Sequence, residues 1–219
     1  MPLGSFRLNG LAKRLAAPVV QRTAATMSGT RINSGTARFG SASHTSNSSS
    51  GFNLTINESS ALNIGSSGKP GTVEFFWRRT NLANNTNQGG IANIGKFTCS
   101  LYGGRFWIED ASFNAYASIT SPSTNVWYHI AIQTNGSGSW QMYLNGTRGY
   151  NASTSDDFSN MNFLRDGQSG GYLVDEIRVS NIARYTGTSI TVPTAAFTND
   201  ANTLALFHCD STTEIDDRS

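Results

Sequence analysis

No acidic residue precedes Glu58 in this 219-residue chain, although Arg7, Lys13, Arg14, Arg22, Arg31 and Arg38 all do. Charge is scarce everywhere, at 14% of residues, and the net charge is only +2. The chain therefore divides into a basic arm and a more acidic body. The arm holds no aromatic besides Phe6, which makes nucleic acid an improbable partner. No apolar run approaches the roughly 20 residues of a spanning helix, so no membrane partner is expected. Residues 1–20 also lack the apolar core of a secretory signal. Two cysteines, Cys99 and Cys209, are too few for a disulfide scaffold. Both lie in strand-like runs. They read most simply as buried apolar thiols, with a cross-strand bridge as the alternative.

Glycine, serine, threonine and asparagine are abundant instead, with 22 glycines. That composition suits many short strands joined by turns, and the length suits one large β domain. Phe52, Leu54 and Ile56 alternate with polar residues, as a half-buried strand requires. Val73, Phe75 and Trp77 share one face of the next strand. Residues 97–102 and 105–109 read as a hairpin around Gly103-Gly104. Residues 127–133 and 140–144, followed by Asn145-Gly146, read as a meander, the Asn-Gly pair supplying the positive φ angles of a tight turn. Residues 40–51, GSASHTSNSSSG, read as a loop, and residues 18–35 as an extended linker.

The start of the chain, SFRLNGLAKRLAA at 5–17, has Leu8, Leu11 and Leu15 on one face of a short amphipathic helix that Pro18 would stop. Three readings compete. One is an organelle transit peptide. Another is a scar of tag cleavage, from the letters PLGS, against which the leading Met argues. The third, preferred here, is an arm that docks onto a partner through Phe6, Arg7, Leu8, Leu11, Lys13, Arg14 and Leu15. The expected division is an arm over 1–35 and one β domain over 36–219.

Residues 170–210 carry the most information. A strand-like run over 172–179 holds Asp175-Glu176 in its middle. A turn, ARY, and a segment, PTAAF, then lead to a last apolar run over 204–209. This stretch resembles the closing segment of the concanavalin A-like, laminin G-like jelly-roll family. TVEFFWRR at 72–79, VWYHIAIQ at 126–133, MYLNG at 142–146 and TARFG at 36–40 (read as the opening strand) resemble further family motifs in the family's order. The resemblance implies an all-β, antiparallel two-sheet jelly-roll sandwich behind an extended or partly helical arm. This flavour of ending is typical of tailed-phage virion proteins. It implies a non-enzymatic virion structural protein made in the host cytoplasm, such as a capsid decoration protein or a small tail or fibre component. Its partners would be other virion proteins, in multiple copies. The alternative is a lectin-like adhesion module for host surface glycans.

Asp175 and Glu176 are adjacent on a strand, so regular alternation sends them to opposite faces. A buried carboxylate needs partners. Asp175 either accepts backbone N–H groups, the preferred reading, or helps hold the structural Ca²⁺ that the resemblance implies; no other cofactor is expected. Asp156-Asp157 and Asp166 read as turn residues. No catalytic residue is assigned. Glycoside hydrolysis needs two carboxylates that converge on the bond, and the adjacent Glu109-Asp110 pair diverges on a strand. His129 and His208 read as packing residues. Tyr102 and Trp107, beside the Gly103-Gly104 turn, are the expected exposed aromatics and the candidate ligand-binding pair.

Overall fold

The computed structural model describes residues 26–27, 31–45, 54–56, 64–65, 68–80, 89–153, 158, 161–164 and 171–211. The amphipathic segment at 5–17, with every arm residue named above, lies outside them, as do Phe52, Asp156-Asp157 and Asp166.

Among the described residues there is no helix. The strands are β1 (Thr26–Met27), β2 (Arg31–Asn33), β3 (Ser43–Thr45), β4 (Leu54–Ile56), β5 (Gly71–Arg79), β6 (Gly89–Ile94), β7 (Phe97–Tyr102) and β8 (Arg105–Asp110). They continue as β9 (Ala115–Thr120), β10 (Trp127–Thr134), β11 (Ser139–Leu144), β12 (Thr147–Arg148), β13 (Ala152–Ser153), β14 (Met161–Phe163), β15 (Tyr172–Ser180) and β16 (Thr203–Phe207). One sheet runs β1-β4-β14-β6-β7-β8-β9. The other runs β12-β11-β10-β5-β15-β3-β2, with β13 on β11 and β16 on β15. Every pairing is antiparallel. The chain is an all-β, two-sheet jelly-roll sandwich, as the motifs imply.

The core lies between the sheets. Val73, Phe75 and Trp77 from β5 meet Phe106 and Ile108 from β8 and Phe163 from β14, all fully buried. Phe75 and Phe163 pack edge to face, their centroids 5.2 Å apart, a favoured arrangement of ring quadrupoles. The hairpin over 97–110 and the meander over 127–148 form as the sequence predicts, with Asn145 at φ 49° and Gly146 at φ 86° in the turn. Cys99 and Cys209 are separate buried thiols. Burial pushes the Cys99 thiol upward, and Glu109 adds to the effect. It is therefore held as an unreactive core group.

Three expectations change. Residues 36–40 are not an opening strand; they form an irregular turn whose N–H groups go to carboxylates described below. The expected loop at 40–51 contains β3, paired with both β2 and β15, and His44 there is fully buried. Sheet pairing also reaches upstream of residue 36: β1 pairs with β4, and β2 with β3.

The outer face of the second sheet is also covered, by residues 181–202. This stretch forms one isolated bridge, Ser189 with Thr147, and spends other backbone groups on side chains of the strands beneath. Thr72 Oγ1 on β5 donates to the Ile182 carbonyl at 2.6 Å and accepts the Arg184 N–H at 3.1 Å. Gln133 on β10 brackets Tyr185, accepting its N–H at 3.0 Å and donating to its carbonyl at 2.7 Å. Tyr143 on β11 donates to the Gly187 carbonyl at 3.1 Å. On the way back, Val192 and Phe197 join Phe76, Leu206, Phe39 and Trp127 in a second apolar cluster.

Candidate functional site

Asp175 and Glu176 do not alternate as a regular strand would have them. The β15–β5 register passes from Asp175↔Phe76 to Arg178↔Glu74, a slip of one residue. Glu176 takes it up with φ 52°. Such a bulge inserts one residue and re-aims its neighbours. Val174, Ile177 and Val179 stay in the core while both acids are buried with partners of their own.

Asp175 Oδ2 accepts the N–H groups of Arg38 at 2.6 Å and Phe39 at 3.3 Å, and Oδ1 accepts that of Glu176 at 2.9 Å. Burial pushes the carboxyl up to about 7 against the pull of these donors, and the charge of Glu176 adds to the rise. Glu176 accepts the Phe197 N–H at 2.8 Å and bonds His208 Nδ1 at 2.7 Å. A third carboxylate, Asp210, completes the arrangement through one oxygen, which takes the N–H groups of Ser41 at 2.6 Å and Ala42 at 2.8 Å. Gly40 sits between the two clamped pairs with φ 68°, and a Cβ there would collide with the Asp210 carboxylate. Ca²⁺ takes roughly six to eight oxygen ligands. The groups around Asp175 are amide donors, which suit a carboxylate and not a cation. Among the described residues no three His, Cys, Asp or Glu side chains gather as a metal would need.

Sequence reasoning missed Glu74, which is fully buried on the outer face of β5. It receives Arg178 Nε at 2.9 Å and Nη2 at 2.7 Å, contacts His129 Nε2 at 3.1 Å and accepts a short bond from the Tyr185 hydroxyl. Desolvation alone would raise this carboxyl, but His129 and Arg178 together hold it below its ordinary value. Arg178 in turn lies 4.3 Å from the Phe197 ring centroid. His129 and His208 are therefore hydrogen-bonded members of the buried polar layer that fixes residues 181–202.

An open groove lies at the seam of the two sheets. Arg105 and Trp107 stand on the outer face of β8, because Phe106 and Ile108 take the core face. Beside them β9, the edge strand, presents the small side chains of Ala115 and Ser118. Residues 148–150 cross over from the other sheet, and the Tyr150 N–H reaches the Tyr116 carbonyl at 2.7 Å. This contact caps part of an exposed sheet edge, which is otherwise an aggregation hazard. It depends on Gly149, where a Cβ would strike the Tyr116 carbonyl oxygen. The result is a groove of about 510 Å³ lined by Arg105, Trp107, Ser118, Arg148 and Tyr150, among others.

Of the two aromatics singled out from sequence, the structure brings only Trp107 into the groove. Its indole Nε1 donates to the Tyr102 carbonyl at 3.3 Å. Arg105 lies 5.0 Å from its ring centroid. Tyr102 is exposed beside the hairpin turn but does not line the groove. Tyr150, 79% exposed, does. Sequence reasoning missed Arg148 and Tyr150, since they come from the other sheet.

Glu109 and Asp110 diverge as expected. Glu109 accepts from Ser100 Oγ at 2.8 Å, whereas Asp110 is wrapped by Ser112, Asn114 and the Tyr116 hydroxyl. Desolvation opposes it, but Asn114 and Tyr116 bring the Asp110 carboxyl down to about 2. A carboxylate so fully engaged is poorly placed for proton transfer at neutral pH.

No protein-family model and no curated protein matches the chain. Among solved structures, the binding domain of Paraclostridial Mosquitocidal Protein 1 superposes at TM-score 0.54 and 18% identity, over 75% of this chain and 45% of its own. The binding domain of botulinum neurotoxin serotype D gives TM-score 0.53 and 16% identity, with the same 75% and 45% coverage. An alginate lyase from polysaccharide lyase family 7 gives TM-score 0.45 and 12% identity, over 61% of this chain and 74% of its own. The chain thus spans less than half the length of the two toxin domains. What it shares with them is the fold, a jelly-roll β-sandwich.

Proposed function

We propose that this chain is a non-enzymatic, lectin-like binding module that takes a saccharide in the groove at the β8–β9 edge. The observation that carries the reading is that half-buried Trp107 and exposed Tyr150 line one open groove over small side chains. Its volume falls within the roughly 300–1,000 Å³ of small-ligand sites. An aromatic face against the apolar face of a sugar ring is a large, rigid contact that loses little side-chain entropy. The likeness to toxin binding domains supports a binding module as a use of this fold, although fold alone does not decide function. The full chain on a glycan array is expected to bind a restricted set of saccharides. Trp107→Ala should cost about tenfold or more in affinity, the usual weight of a central aromatic anchor. A blank array, or unchanged binding by Trp107→Ala, would sink the reading.

The setting we infer for the module, from the resemblance of its closing segment, is the particle of a tailed phage. There the sandwich stands outward, and the basic arm within residues 1–35 holds it to capsid or tail proteins in multiple copies. Deleting residues 1–24, which lie upstream of β1, is expected to leave the melting temperature almost unchanged and to abolish incorporation into particles. Normal incorporation of the truncated chain would overturn the arm's role.

A further inference from the structure

We infer that the groove selects an anionic saccharide, one whose ring carries a carboxylate or a sulfate ester. This rests on the saccharide reading above and narrows it. The reason is the contrast between Arg105 and the arginines of the other sheet. Under residues 181–202 the guanidinium groups are matched: Arg178 lies 2.7 Å from Glu74, and Arg184 lies 2.8 Å from Asp200. Among the described residues no carboxylate pairs with Arg105, which lines the groove beside Trp107.

Arg105 is positioned without a counter-charge, over the Trp107 ring at 5.0 Å. A planar guanidinium matches a carboxylate or sulfate with two parallel N–H bonds and is more weakly hydrated than an ammonium. An unpaired guanidinium on an aromatic platform therefore favours a ring that brings its own negative charge. The nearby acids are turned to other work. Asp110 is occupied by Ser112, Asn114 and Tyr116. Glu109, two positions beyond Trp107 on the same face, accepts from Ser100. It lies on the opposite side of Trp107 from Arg105, which leaves the Arg105 side of the ring for the anion.

The test compares matched probes on the full chain. Oligogalacturonate is set against its methyl ester, which keeps the ring and removes the charge, and dextran sulfate against dextran. The charged member of at least one pair should bind at least about tenfold more tightly, a difference of about 1.4 kcal/mol. Which pair responds assigns carboxylate or sulfate. The preference should weaken with added salt and vanish in Arg105→Gln. In that variant a melting temperature near wild type separates lost charge from lost fold. Equal binding of charged and neutral members overturns the inference, as does a preference that survives Arg105→Gln. So does an array on which only neutral sugars bind, although that result leaves the lectin-like reading standing. A blank array removes both.

Discussion

Replacing Glu74 by alanine is expected to destabilise the fold by about 3–5 kcal/mol, the cost of breaking a buried ion pair from one side. Glu74 has no exposed surface and is the common acceptor of Arg178, His129 and Tyr185. Its removal leaves the Arg178 guanidinium without its counter-charge and a hydroxyl without its acceptor. The loss also spreads, because Tyr185 and Arg178 fix the cover over the outer face. For a domain of this size the melting temperature should fall by roughly 10 °C. Glu74→Gln keeps the volume and one acceptor oxygen, so a smaller but clear loss is expected. Urea denaturation of both variants checks the order. A Glu74→Ala protein as stable as wild type would mean that the polar layer contributes no net stability.

Asp175→Ala is expected to cost about 2–4 kcal/mol, since three N–H groups lose their acceptor and each costs about 1–3 kcal/mol if left buried and unpaired. The turn at 38–42 is half-buried, so water recovers part of that loss. The acid also leaves a signature in pH. Its carboxyl titrates at about 7 in the folded chain against 3.8 ordinarily. Between about pH 4 and pH 7 the folded state therefore holds a proton that the unfolded state has lost. Stability from this group must fall as pH rises through that window. Asp175→Asn has no such proton. Its urea midpoint should fall less steeply from pH 4 to pH 7 than that of wild type, and parallel curves would refute the assignment. With both Asp175 oxygens engaged by N–H groups, EDTA should leave the wild-type midpoint where it was. A midpoint lowered by EDTA and restored by Ca²⁺ would instead assign a metal to Asp175.

The strands were readable where apolar and polar residues alternate. β7, β8, β10 and β11 follow from that alternation and from Gly103-Gly104 and Asn145-Gly146, although β10 is buried on both faces. The outer layer was not, because a strand buried on both faces loses its alternation. In TVEFFWRR, adjacent Phe76 and Trp77 already imply two covered faces. They imply too that Glu74, beside them on the outer face, is inside. The bulge had its own trace: Val174, Ile177 and Val179 are spaced by three and then two, which skips the period of a strand. β3 escaped because a short strand of serine, histidine and threonine takes its burial from the strands beside it. Half the groove was legible in Trp107 and Arg105, which share a face two residues apart. The other half, Arg148 and Tyr150, depends on which sheet edges meet in space, and no local pattern encodes that.

The clamp on residues 38–42 has a consequence for how the chain is born. Its carboxylates lie far along the sequence: Asp175 is 137 residues beyond Arg38, and Asp210 is 169 beyond Ser41. During synthesis the first turn of the sandwich leaves the ribosome well before the groups that will hold it, and β3 waits likewise for β15. At roughly 5–20 residues per second, that interval is on the order of ten seconds or more. Closure is thus a late, long-range event of the kind that makes β topologies slow to fold. Until Asp210 has emerged, the lock on the N-terminal edge of the second sheet is incomplete.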